Sequence, residues 1–183
     1  ALPVAMGGVL PSLPVLALLA YSLVRISQNW RNASIRLTSY LLQIYAAMML
    51  TFLLLPSKPD TYLWGGVVST ALMACFALLQ YQWCRANQPP GDAAFFKRVD
   101  KDDLTAALLL LSSLLSAFFM LRIVAYQCLL LLPADVVYNA FRGTQSVIIN
   151  VSAAILMLFA LARQKKELRN IAILITIIGA VKV

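Results

Sequence analysis

The sequence predicts an all-α fold: a polytopic transmembrane helix bundle of about six spans. Three observations predict it. Hydrophobic residues make up 62% of the 183 positions and charged residues only 12%, about half the charged share of an ordinary soluble domain. Apolar runs recur along the whole chain, each close to the roughly 20 residues needed to cross a hydrocarbon core. Lysine and arginine collect in alternate connections between those runs, which is how membrane proteins encode orientation. Length and pattern together predict a single transmembrane domain over residues 1–183.

Span 1 covers residues 2–24. Gly7, Gly8, Pro11 and Pro14 interrupt its first half, so a kinked or broken start is expected. A broken helix can build a transporter site, but no matching break follows later in the chain, which favours a packing kink. The connection 25–36 carries Arg25, Arg31 and Arg36, with Trp30 as an interface anchor. Span 2 covers 35–55, with Ser34 as the expected cap. Arg36, Ser39 or Tyr40, and Gln43 share one helical face. That face is expected to look into the bundle, where the intramembrane amide of Gln43 bonds a neighbouring helix. A pore lining would carry the same pattern.

Pro56, Ser57, Lys58, Pro59 and Asp60 form a turn. Span 3 covers 62–83, bounded by the pairs Tyr62/Trp64 and Tyr81/Trp83. The pairs lie about 19 residues or 28 Å apart, the spacing of two aromatic belts. Gly65, Gly66 and Ser69 allow close helix contact. In the connection 84–103, Phe95, Phe96, Lys97 and Arg98 suit a short interfacial segment, with Lys97 and Arg98 on lipid phosphates. Asp100, Asp102 and Asp103 suit the positive end of the next helix, a commoner use than a cation site.

Spans 4 and 5 cover 104–132 and 136–162 and meet at Pro133, Ala134 and Asp135. A basic connection, 163–170, leads to span 6, residues 171–183, with Lys182 about 17 Å into it as a second intramembrane polar group. The chain opens at Ala1 and stops at Val183 inside an apolar run, so both ends are expected to be incomplete. Connections 25–36, 84–103 and 163–170 are the basic ones. The positive-inside rule therefore places them in the cytoplasm and the N-terminus outside, as in a bacterial inner membrane.

Residues 142–183 carry an early arginine (Arg142) with Ser146 following, an apolar run into Arg163–Lys166, then Leu168 and Arg169, and finally Ala180, Val181, Lys182 and Val183. In this the segment resembles the repeating membrane units of bacterial multi-span proteins of the DUF2339 type. The resemblance implies membrane helices and lends no activity. The family pattern continues with an aromatic residue and an aspartate beyond the position of Val183.

Chemistry-bearing residues are sparse. The net charge of +8 belongs to short connections and calls for no nucleic acid. There is no histidine, which removes the commonest general base and metal ligand. Cys75, Cys84 and Cys128 lack metal or redox spacing. All seven acids lie in connections or at span ends, against a carboxylate proton relay. No enzyme activity and no cofactor are expected.

Arg122 and Arg142 stand inside apolar runs. Counted from the basic connections they lie about 27 and 30 Å along their helices, at the outer surface, where they are expected to contact lipid head groups. Residues 123–141 then project beyond the hydrocarbon. Their apolar tip, with Leu129, Leu130, Leu131, Leu132, Val136 and Val137, is expected to meet a partner. The sequence reads best as a non-catalytic integral membrane subunit that packs against lipids and other subunits of a complex. The alternatives are a transporter or lipid-handling protein, with Arg122 and Arg142 receiving an anionic head group, and a membrane sensor.

Overall fold

A computed structural model of the chain describes residues 9–55, 64–87, 104–131, 133–163 and 166–182. Their regular structure is helical throughout: α1 (Leu13–Asn29, entered through a 3-10 turn at Leu10–Ser12), α2 (Ala33–Leu54), α3 (Trp64–Ala86), α4 (Leu104–Leu129), α5 (Ala134–Arg163) and α6 (Lys166–Lys182). Five of them, α1 to α5, hold stretches long and apolar enough to cross a membrane. α6 has 17 residues, short of the roughly 20 that a full crossing takes.

The helix starts follow from proline and capping chemistry. Pro11 and Pro14 each stand in the first turn of a helical segment, where a missing N–H costs nothing. The expected break at Pro11 and Pro14 is thus a 3-10 turn leading into an uninterrupted α1, and Gly7 and Gly8 lie outside the described residues. The connection between α1 and α2 is only Trp30, Arg31 and Asn32, so Arg25 and Arg36 lie on helices. Arg31 takes the turn with φ of 48°. The cap of α2 is Asn32, whose side chain accepts from the N–H groups of Ser34 and Ile35 at 2.9 and 3.4 Å. Ser34 is therefore a capped residue and not the cap. Asn32→Ala leaves two first-turn N–H groups unanswered and lowers stability by about 1 kcal/mol, as thermal unfolding in detergent will measure.

The chain divides into two compact units, Ala1–Met120 and Leu121–Val183. In the first, α1 lies against both α2 and α3. It buries Leu13, Ala17, Ala20, Val24 and Ser27, all 1% exposed or less. These positions alternate four and three apart, the seam of a gently crossing helix pair, and the two alanines let backbones approach closely. α2 repeats the pattern with Arg36, Ser39, Gln43, Ala46, Leu50 and Leu53, and α3 with Gly66, Ser69 or Thr70, Met73, Ala77 and Gln80. The first part of α4 ties to both neighbours by side-chain hydrogen bonds. Gln43 Nε2 donates to Ser112 Oγ at 3.4 Å, and Ser113 Oγ to the Ala74 carbonyl at 2.9 Å.

In the second unit α5 packs along α6. α4 ends at Leu129 and α5 begins at Ala134, with Tyr126 edge-on to Phe141 at 5.2 Å. α5 buries Phe141, Ile149, Ala153 and Ala160 along one side.

Candidate functional site

The first unit hides a column of polar side chains inside an apolar bundle. Its head is Arg36, only 1% exposed and the largest fully buried side chain among the described residues. Its Nε donates to Tyr40 Oη at 2.8 Å, one helical turn on. Its terminal nitrogens reach Gln28 Oε1 at 3.5 Å, the Cys84 carbonyl at 3.5 Å and the Asn87 carbonyl at 2.7 Å. The centre of the Trp83 ring lies 5.4 Å from the guanidinium carbon, within cation–π range.

Three of these partners, Trp83, Cys84 and Asn87, come from the end of α3. Cys84 and Asn87 carry carbonyls at the end of α3, the negative end of the helix dipole. Asn87 holds that end in place by donating its backbone N–H and its Nδ2 to the Trp83 carbonyl, both at 3.0 Å. Arg36 is therefore a cap supplied by one helix to the end of another. Its expected place in a basic connection is corrected: the turn is shorter than the spacing of arginines suggests, and it draws Arg36 into α2. Tyr81 is likewise corrected. It is 8% exposed and faces the interior, not a lipid belt, while Trp64 at the other end of α3 is 67% exposed.

Below Arg36 the column continues through Ser39 and Gln80, where Gln80 Nε2 donates to Ser39 Oγ at 3.0 Å. It continues to Gln43 with Ser112, and to Ser116, whose hydroxyl donates to the Ser112 carbonyl at 2.9 Å. Ser39, Gln43, Gln80 and Ser116 have no exposed surface. The expectation that the face of Arg36, Ser39 and Gln43 looks inward, with Gln43 bonding a neighbouring helix, agrees with these contacts. Gln80 is the residue the sequence reading missed. It stands among apolar residues of span 3, and its only signal is that same isolation. The two amides tie α2 to α3 and α4 where lipid offers no competing donor. A double-mutant cycle on Gln80→Leu and Ser39→Ala is expected to show a coupling of about 0.6 kcal/mol, the usual size for such pairs in membranes, read from unfolding in detergent.

The other singled-out residues separate. Arg122 is half-buried on α4, its guanidinium carbon 5.8 Å from the centre of the Phe141 ring. Arg142 is exposed on α5. In the tip, Leu131 is 89% exposed and Leu130 49%, while Leu129 and Val137 are half-buried. Ile123 and Phe141, expected to mark the limits of a bare projection, are buried. The α4–α5 corner thus covers part of its own apolar surface. Lys97, Arg98 and Leu132, and the side chains of Val136 and Lys182, lie outside the described residues.

A second polar group stands out on α5. Asn150 is exposed, near the middle of the apolar stretch Asn139–Ala162. Its side chain makes no hydrogen bond among the described residues. Only 17% of that stretch is buried, against 39–44% for the other four spans.

No family model, curated protein or solved structure matches this chain. The residues themselves therefore carry the functional argument. The buried column is a set of helix-to-helix ties, and Asn150 is a carboxamide that makes no such tie among the described residues and lies exposed at mid-span.

Proposed function

We propose that the chain is a non-catalytic integral membrane subunit that packs, through α5, against a partner in a larger membrane complex. The observation that carries this reading is Asn150. An amide facing hydrocarbon at mid-span leaves a donor pair and an acceptor without partners, which costs a membrane helix far more than it would cost a surface helix in water. The carboxamides at comparable depth on α2 and α3, Gln43 and Gln80, are turned inward and each donates a hydrogen bond to a serine of a neighbouring helix, so the fold turns such amides from lipid elsewhere. A neighbouring helix that answers Asn150 also accounts for the low burial of α5. The basic connections support the orientation with the N-terminus outside and the Arg36 end in the cytoplasm, as in a bacterial inner membrane. The resemblance of residues 142–183 to DUF2339-type units belongs to the same reading and adds no chemistry to it.

The test is intact-mass measurement on the protein purified from its own membrane in mild detergent. The expected result is a defined assembly heavier than one chain. A single chain as the only species, at concentrations where the fold persists, refutes the reading.

A further inference from the structure

We infer that the partner on α5 is a second copy of this chain, paired in parallel along Gly143, Val147, Asn150, Ala154, Met157 and Leu161. This rests on the subunit reading above and names its partner. The six positions step by four and three alternately, the same spacing that α1 hides with Leu13, Ala17, Ala20, Val24 and Ser27. On α1 that seam is filled by α2 and α3. On α5 every member is exposed, including Val147 at 59% and Leu161 at 66%. The seam lies to one side of the face that α5 buries through Ile149, Ala153 and Ala160. Within the second unit, α5 can therefore keep its contacts with α6 and take another helix.

Three features select a copy of the same chain. The first is the chemistry of Asn150. A carboxamide both donates and accepts, so two of them satisfy each other reciprocally, Nδ2 donating to Oδ1 in both directions. The second is depth. Copies inserted with the same orientation hold residue 150 at the same level of the bilayer, so a two-fold axis along the membrane normal brings the two amides face to face. Asn150 also stands at the midpoint of the Gly143–Met157 part of the seam, where such an axis crosses. The third is clearance. A Cβ built on Gly143 would meet nothing within 4 Å, and Gly143 and Ala154 flank the amide by one to two turns, letting the backbones approach. Arg142 lies about 100° around the helix from Gly143, so like charges stay off the seam.

The experiment uses the full chain expressed alone and reconstituted in phosphatidylcholine–phosphatidylglycerol vesicles. Cys75, Cys84 and Cys128 are replaced by serine or alanine, and one cysteine is placed at a time along α5. Oxidation is expected to give disulfide-linked dimers from Val147→Cys, Ala154→Cys and Met157→Cys, and little from Val151→Cys or Ile155→Cys. In the Val147→Cys background, Asn150→Leu is expected to lower the dimer fraction about tenfold at limiting protein-to-lipid ratio, while Asn150→Gln keeps most of it. All these positions are exposed, so unfolding temperatures serve as the check that the fold is intact.

Equal cross-linking on and off the seam overturns the inference, and so does a dimer indifferent to Asn150→Leu. Absence of any dimer, with Val147→Cys shielded from a membrane-permeant maleimide at every dilution, overturns it in favour of coverage by the same chain. A chain that is monomeric alone but part of a mixed assembly in its own membrane removes the self-pairing and leaves the subunit reading standing. A monomer in both settings removes both.

Discussion

Arg36→Leu is expected to destabilise the fold by about 3 kcal/mol, seen as earlier thermal or denaturant unfolding in detergent. Two opposing effects set the size. Taking a charge out of a buried position relieves its desolvation, which favours the variant. Against that, the variant loses two short charge-assisted hydrogen bonds, to Tyr40 at 2.8 Å and to the Asn87 carbonyl at 2.7 Å, each worth about 1.5–3 kcal/mol. The contacts at 3.5 Å to Gln28 and Cys84 add little. The loss wins because Tyr40 and the part-buried carbonyls at the end of α3 lose a charged donor, and leucine offers them nothing. Arg36→Lys is expected to recover only part of the stability. An ammonium is a point charge on a flexible stem, and it cannot reproduce a planar fork that reaches Tyr40, Asn87 and Trp83 together. Unfolding of Arg36→Leu at the wild-type temperature would show that the guanidinium does not cap α3.

Phe119→Ala is expected to cost about 2 kcal/mol, and Phe159→Ala less than about 0.5 kcal/mol. Phe119 is 1% exposed and Phe159 55%. In a water-soluble protein the first substitution would cost about 3–5 kcal/mol, because ring burial also removes apolar surface from water. In a membrane that part vanishes, since lipid chains are as apolar as the protein interior. What remains is the dispersion energy of a ring packed on all sides, lost when a cavity replaces it. Lipid refills the space left by Phe159, so nearly nothing is lost there. Equal effects from the two variants would mean that neither ring sits in a packed interior.

Much of the fold can be read in the sequence because membrane spans announce themselves in one dimension. Hydropathy marks the helices: α2 to α5 lie within a few residues of spans 2 to 5, while α1 runs Leu13–Asn29 where span 1 was expected at 2–24. The inward face of α2 is equally legible: Arg36, Ser39 or Tyr40, and Gln43 recur at helical spacing, and a polar stripe in an apolar helix turns from lipid. The aromatic belt of span 3 was legible only at Trp64. At the other end Tyr81 turns inward and Trp83 lies over Arg36, because an aromatic ring near an interface can serve either lipid or a buried cation. The candidate seam on α5 was less visible. A lone asparagine in an apolar run states that something must answer it, but it does not state what, and the α5 contacts are needed to show which faces are already occupied.

The sequence by itself determined the class of the molecule, all-α and membrane-spanning, together with the approximate spans and the inward direction of Gln43. These properties depend on composition and on periodicity along a single helix. Only the tertiary structure decided what each polar group is bonded to. Arg36 shares an inward face in sequence, but its partner is unknown until α3 returns and presents the Asn87 carbonyl, 51 residues away. Gln80 is anonymous until Ser39 stands opposite, and Asn150 is unremarkable until α5 is seen to bury Ile149, Ala153 and Ala160 and leave the amide exposed. The physical reason is the same in the three cases. Hydropathy measures how deep a residue lies along the membrane normal, whereas hydrogen bonding depends on what lies beside it in the membrane plane, and that is set by helices distant in sequence.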